Sequence, residues 1–297
     1  MRVRGWLAVH LAALRVVVVL TLIVGLAYPL GMTVLARIPG LSGPADGSLI
    51  TGPNGRTVGS VLIGQSFTDA KGNPIPKYFQ TRPSMAGNGY DPTASGASNL
   101  GPDSIVDTLP NPADKSDTDK LSLLSQICQR SKAIGELEGV NGARPYCTAD
   151  GVGAVLGVFR TDGLTGPTTR VVSLNQECPV TPFMATYQGV RVECAQYGAD
   201  YGHAVPTPIA GNAPTPPAVP SDAVTASGSG LDPDISLAYA NLQAPRVARA
   251  RGISLATLSS LVDRYTTGRP LGVLGEPVVN VVRLNLALDQ QYPKQGA

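Results

Sequence analysis

Residues Val16 to Leu35 form an apolar run that contains no charged side chain. A helix of about 20 such residues is long enough to cross the roughly 30 Å hydrocarbon core of a bilayer. Gly25, Pro29 and Gly31 fall inside the run. Both residue types are tolerated in membrane helices, and small residues allow close helix packing. Arg2, Arg4 and Arg15 precede the run and Arg37 follows it. The positive-inside rule therefore places residues 1–15 in the cytoplasm, residues 16–36 across the membrane and the rest of the chain outside. The competing reading is a cleaved signal peptide, with Val34-Leu35-Ala36 as a small-residue cleavage site. The run is somewhat long for a signal's apolar region, and no cysteine lies near it to serve a lipoprotein anchor.

The 297 residues allow one ordinary domain with additions, or two small ones. Hydrophobic residues make up 43%, enough for a core. Aromatics are only 5% and the net charge is +2, which argues against a stacking platform for nucleic acid or a polyanionic partner. The cysteines Cys128, Cys147, Cys178 and Cys194 all lie in one middle block. Outside the cytosol such a cluster reads as two disulfides with three possible pairings; the competing reading is four buried thiols. No C-x-x-C pair occurs and the only histidines are His10 and His203, so no metal site is expected.

Past a Pro/Gly/Ser linker, Leu49–Phe67 alternates around Gly52-Pro53-Asn54-Gly55 and reads as a hairpin. Asp119–Glu138 has helical spacing in its first part. Val152–Phe159, Arg170–Leu174 and Gly189–Cys194 read as short strands, and Thr207–Pro220 as a Pro-rich extended linker. Two Ser-Gly turns, one in Ala94–Asp103 and one at Ser227–Gly230, are expected to form matched halves of one module. After the second turn, Asp232 is expected to cap a helix starting at Pro233, with Asp234 favouring its positive end. Pro245 is expected to interrupt that helix and begin another. Gly252 reads as a stop and Ser254 as a cap, followed by an apolar helical face of Leu255, Leu258, Leu261 and Val262. Val278–Leu284 reads as a buried strand.

Chemistry-bearing patterns are few. There is no G-x-x-x-x-G-K-[ST] phosphate loop. Ser227 or Ser229 with His203 could be considered as a hydrolase, but ASGSG is not G-x-S-x-G and the turn accounts for the serines. Arg246–Tyr265 resembles a helix-turn-helix; on an exported chain it reads as an amphipathic helix pair packed on a sheet. Asp232, Asp234 and Glu276 lack the carbonyl rings of a selective potassium site. At most they would raise the local cation concentration. No catalytic residue is expected.

Seven stretches carry a family resemblance. They are GSLI (Gly47–Ile50), VGSVLIGQSF (Val58–Phe67), YFQTRPS (Tyr78–Ser84), YDPTASGASNLGP (Tyr90–Pro102), TASGSGLDPDIS (Thr225–Ser236), LQAPRVARARG (Leu242–Gly252) and VNVVRLNLALD (Val279–Asp289). In this order the chain resembles the KdpC family, a small subunit of the bacterial potassium-transporting P-type ATPase known as the Kdp complex. The resemblance implies a membrane helix at 16–36 and an extracytoplasmic mixed α/β (α+β) domain built from 37–109 and 221–297. Residues 110–220, with the four cysteines, form an insertion where the family usually has a much shorter connection. It also implies a non-catalytic member of the complex that assembles and stabilises a high-affinity potassium uptake pump. Its implied partners are the pump's potassium-translocating subunit, its ATP-hydrolysing subunit and a further tiny subunit, together with membrane lipid. ATP and potassium are handled by the complex. The Asp-Lys-Thr-Gly-Thr phosphorylation sequence of the ATP-hydrolysing partner is absent. A family proposal that KdpC raises the ATP affinity of that partner implies a nucleotide contact at Gln243. That conflicts with an outside location; the alternative is a helix-terminus side chain bonding backbone groups. A second expected role is tuning potassium access at the outer entrance. The competing functional class is a free exported binding module.

Overall fold

The computed structural model describes residues 2–52, 54–86, 89–96, 100–114, 116–118 and 120–293. The chain divides into two compact units, Met1–Leu62 and Ile63–Ala297.

In the first unit, α1 (Arg2–Leu22) passes through a π-helical turn (Ile23–Ala27) into α2 (Tyr28–Leu35). The helix Val3–Leu35 holds an 18-residue window with a mean hydropathy of 2.5, none of it buried, so it is long and apolar enough to cross a membrane. The wider turn lies just before Pro29, whose ring would crowd a carbonyl of the preceding turn and which has no N–H to donate. The helix starts well before Val16, because the residues ahead of the apolar run are mostly Ala, Leu and Arg, good helix formers. A short helix α3 (Ser42–Ala45) leads to β1 (Leu49–Thr51) and β2 (Thr57–Ser60). These pair antiparallel, as the hairpin reading required, with Leu49 opposite Ser60. Pro53 of the connecting turn lies outside the described residues.

The second unit is a mixed α/β structure. Its first regular helix is α4 (Leu123–Glu138), capped by Ser122, whose side chain accepts from Ser125 N–H, and ended by left-handed Gly139. Next come β3 (Val155–Asp162), β4 (Thr165–Glu177), β5 (Thr186–Tyr187), β6 (Val190–Ala195) and β7 (Val205–Pro208). They form one sheet in the order β5-β6-β4-β3-β7, parallel only between β4 and β6. The three expected strands are present. The stretch expected as a linker from Thr207 begins instead inside β7; a strand containing Pro206 and Pro208 suits the sheet edge it occupies. Two disulfides form, Cys128–Cys147 and Cys178–Cys194. The first ties α4 to the loop before β3, and the second ties the end of β4 to β6.

A short helix α5 (Ser221–Val224) precedes β8 (Asp234–Ser236), α6 (Leu237–Arg251), α7 (Leu255–Arg264), β9 (Thr266–Thr267), β10 (Val278–Asn280) and α8 (Val281–Gln291). Strands β8, β10 and β9 form an antiparallel sheet. Phe79, Tyr239, Val247, Leu258, Val279, Leu284 and Leu288 share the main core, against which Ile127 and Ile134 of α4 also pack. The cysteine block is thus joined to this core through its helix.

The structure departs from three further expectations. Asp232 does not cap a helix at Pro233. Residues 234–236 pair with β10 as a strand because Ile235 is buried in the core, and Ser236 is the cap, accepting from Tyr239 N–H at 3.0 Å. Pro245 does not break α6, which runs to Arg251. Buried Ala240 and Ala244 before it and Val247 and Ala248 after it hold both turns in one core. The strand expected over Val278–Leu284 stops at Asn280, whose side chain accepts from Arg283 N–H at 3.1 Å and starts α8. Gly252 and Ser254 act as expected: Gly252 ends α6 at φ 69°, and Ser254 accepts from Thr257 N–H.

Candidate functional site

The second Ser-Gly turn sits against the segment that leads into the first. Ser227 N–H donates to Pro83 O at 2.7 Å, Met85 N–H to Ser227 O at 2.9 Å, Asp91 N–H to Ser229 O at 3.2 Å and Gly96 N–H to Gly228 O at 2.7 Å. A Cβ on Gly96 would collide with Met85 O, and one on Gly230, which holds φ 74°, with Gly89 O. The two turns are therefore paired, as their sequences suggested; Ala97–Asn99 of the first lie outside the described residues. Ser227 Oγ accepts from Gly230 N–H at 2.8 Å, so this hydroxyl serves the turn. His203 is exposed on the loop before β7, and among the described residues no hydrogen bond joins it to Ser227 or Ser229.

Arg82 binds this paired turn. Its Nη1 meets Asp232 Oδ2 at 2.6 Å, and Nε and Nη2 donate to Thr225 O at 3.2 and 3.1 Å. The three acidic residues considered for cations are separated in use. Asp232 pairs with Arg82, Asp234 accepts from Asn280 Nδ2 at 3.1 Å, and Glu276 pairs with Arg269 at 2.6 Å. Burial raises the Asp234 carboxyl above its ordinary value, against the Asn280 hydrogen bond and with help from the Asp232 charge. Among the described residues no group of three or more His, Cys, Asp or Glu side chains could hold a metal ion.

Gln243 lies in the middle of α6 with 0% exposure. Its Oε1 accepts from Gln80 N–H at 2.7 Å and its Nε2 donates to Gln80 O at 3.1 Å, as a neighbouring strand would. Arg246 Nη2 donates to the same Oε1 at 3.0 Å. One turn along, Arg246 Nε donates to both oxygens of buried Glu138 at 3.1 and 3.0 Å, and Nη1 to Pro76 O and Tyr78 O. Burial raises the Glu138 carboxyl although Arg246 pulls it down. At the helix end, Arg251 meets Asp289 at 2.9 Å and Lys77 O at 2.8 Å. The basic face of α6 thus binds the Pro76–Gln80 backbone, the buried carboxylate of Glu138 and the exposed one of Asp289; only Arg249 of its arginines is exposed. This arrangement is a scaffold that holds an extended segment, with no nucleophile and base brought together.

Sequence reasoning singled out Gln243 but missed its partner Gln80, the Arg82–Asp232 pair and Glu138. Arg82 stands in the quoted YFQTRPS stretch. Glu138 ends the helical pattern in the cysteine block, and nothing local marks it as a partner of Arg246, 108 positions away.

The family model for the K+-transporting ATPase, c chain (KdpC), matches residues 10–110 and 198–290. A protein of Rhodospirillum rubrum named "Potassium-transporting ATPase KdpC subunit" is 35% identical over 281 residues, which is 95% of this chain and 95% of that protein. Proteins of the same name from Myxococcus xanthus (35% over 282 residues, 95% and 88%) and Mycobacterium bovis (34% over 280 residues, 94% and 97%) are similar to the same extent. The family match covers part of the apolar helix and both segments that build the paired turns. The chain belongs to the KdpC family, the c chain of K+-transporting ATPases: a membrane-associated member of the pump and not a catalytic enzyme by itself.

Proposed function

We propose that this chain anchors itself by one span, holds residues 37–297 on the outer face, and assembles with the potassium-translocating, the ATP-hydrolysing and the tiny third subunits of the Kdp complex. The observation that carries this reading is the family match, which runs from the apolar helix through both halves of the second unit. Two disulfides support the outside location, because such bonds persist in oxidising compartments. The three arginines ahead of the apolar run support the orientation. The role is assembly and stabilisation of the complex, and tuning of potassium access at its outer entrance.

A Leu164→Cys substitution tests the topology, because Leu164 is exposed on the turn between β3 and β4. A membrane-impermeant maleimide should label it in intact cells as fully as after lysis. Labelling only after lysis reverses the orientation. Deleting the chain should abolish growth at limiting potassium, and unchanged growth removes the functional assignment.

A nucleotide contact at Gln243 is a separable part of the reading. It would require the side chain to exchange its bonds to Gln80 for bonds to nucleotide. Replacing Gln243 by Ala should lower stability on either reading, because buried Gln80 backbone groups lose their partner. A nucleotide contact requires in addition a raised ATP requirement in the complex that assembles, and the scaffold role requires an unchanged one.

A further inference from the structure

The β9–β10 hairpin carries a ten-residue connection, Gly268 to Pro277, whose geometry serves none of the packing described above. Its neck is closed by the Arg269–Glu276 pair at 2.6 Å. Its tip, Pro270–Gly275, is uncharged and is folded on itself: Gly272 N–H donates to Arg269 O at 2.9 Å and Leu274 N–H to Pro270 O at 3.0 Å. The tip holds Leu271 89%, Val273 76% and Leu274 55% exposed. Leu271 also adopts φ 54°, a left-handed conformation unfavourable for a side chain of this kind. Apolar exposure across the tip and backbone strain at Leu271 both disfavour the free chain. Such coincidences occur at recognition sites.

We propose that this tip is a docking finger that seats in an apolar groove on another protein of the pump. The proposal rests on the reading of the chain as a member of that complex. The chemistry of the tip selects a protein occupant over lipid. Surface lipid binding draws on aromatic side chains and free Lys or Arg beside the apolar ones. Here the tip has no aromatic residue, and the one adjacent cation, Arg269, is already paired. A second copy of the chain is disfavoured by size. Three side chains fall far short of the ~800 Å² per partner that a stable free association buries. A small contact suffices only where another attachment supplies a high effective concentration. Membership in a membrane complex supplies that attachment. The finger therefore fixes the orientation of the second unit on its partner and adds little to overall affinity.

The test uses the full chain co-produced with the other pump proteins in membranes. Leu271 is replaced by the photo-crosslinking amino acid benzoylphenylalanine, and Leu164, also largely exposed (79% against 89%) at the tip of the β3–β4 hairpin, is replaced in a second preparation. Irradiation should give an adduct between position 271 and another pump protein, and at least tenfold less adduct from position 164. In a third preparation with the crosslinker at Val273, the added substitutions L271S and L274S should remove most of the adduct. The chain should still co-purify with the complex. Adducts to lipid only, adducts to a second copy only, or no adduct at 271 in an intact complex overturn the finger and leave the membership reading standing. A chain that fails to co-purify with any pump protein overturns both.

Discussion

Asp232 and Arg82 meet at 2.6 Å with side chains about a third exposed or less, and the same guanidinium holds the carbonyl of Thr225. The residue therefore acts through its charge and not as a helix cap. Exposed ion pairs are worth about 0–1 kcal/mol; a partly covered pair tied to backbone stands at the upper end. Asp232→Ala and Asp232→Asn should each cost about 1 kcal/mol in thermal unfolding of the full chain in detergent. Combining Asp232→Ala with Arg82→Ala should cost less than the sum of the two. A cap would accept Asn in place of Asp, so a wild-type Asn variant beside a destabilised Ala variant would restore the capping role. The cap proper is Ser236, where Ala should cost about 0.5–2 kcal/mol. Asp234 gives a pH signature. Burial raises its carboxyl in the folded chain, so the stability it contributes is present below the ordinary carboxylate range and is lost as pH rises through the raised value. Relative to Asp234→Asn, the wild-type chain should gain stability as pH falls from neutral into that range. A difference that is flat, or that moves the other way, would mean the carboxylate is stabilised by its surroundings. The Asp-Pro-Asp sequence favoured a helix start locally, and only the pairing of Ile235 with Val279 across 44 positions decided otherwise.

At the scale of elements, α4 and α6 are joined by the buried Glu138–Arg246 pair. Removing one partner of such a pair leaves the other charge buried, at a cost of about 3–5 kcal/mol. Glu138→Ala should fall in that range by chemical denaturation, and Glu138→Gln, which still accepts from Arg246, should cost clearly less. Equal, small costs for both would show that Arg246 finds solvent and that the helices are held by apolar contacts alone. Elements with strong local signals were legible in sequence: the apolar helix, the β1–β2 hairpin, α7 with its Ser254 cap, and strands β3, β4 and β6. Two were not. Val281 and Val282 are β-branched and read as strand, yet they continue as α8 because Asn280 caps there and Leu284 and Leu288 fall on the core. Pro245 reads as a break, yet tertiary packing on both sides of it exceeds its cost.

For the whole molecule, the cysteine block is the clearest case of partial legibility. Its four cysteines announced two disulfides, and the pairing became visible only when α4 and the strands were placed. The coupling of Gln243 to Gln80, 163 positions apart, was likewise beyond local pattern. What the sequence did carry was the order of its motifs along both segments of the family match, and the apolar run that precedes them. Membership in the potassium pump and anchoring by the apolar helix can be read in one preparation, by isolating the chain from its native membranes through a C-terminal tag and weighing what is recovered. The expected product is a complex in which this chain retains residues 1–36 and is accompanied by a protein carrying the Asp-Lys-Thr-Gly-Thr phosphorylation sequence. Recovery of this chain alone, shortened to begin after Ala36, would contradict it.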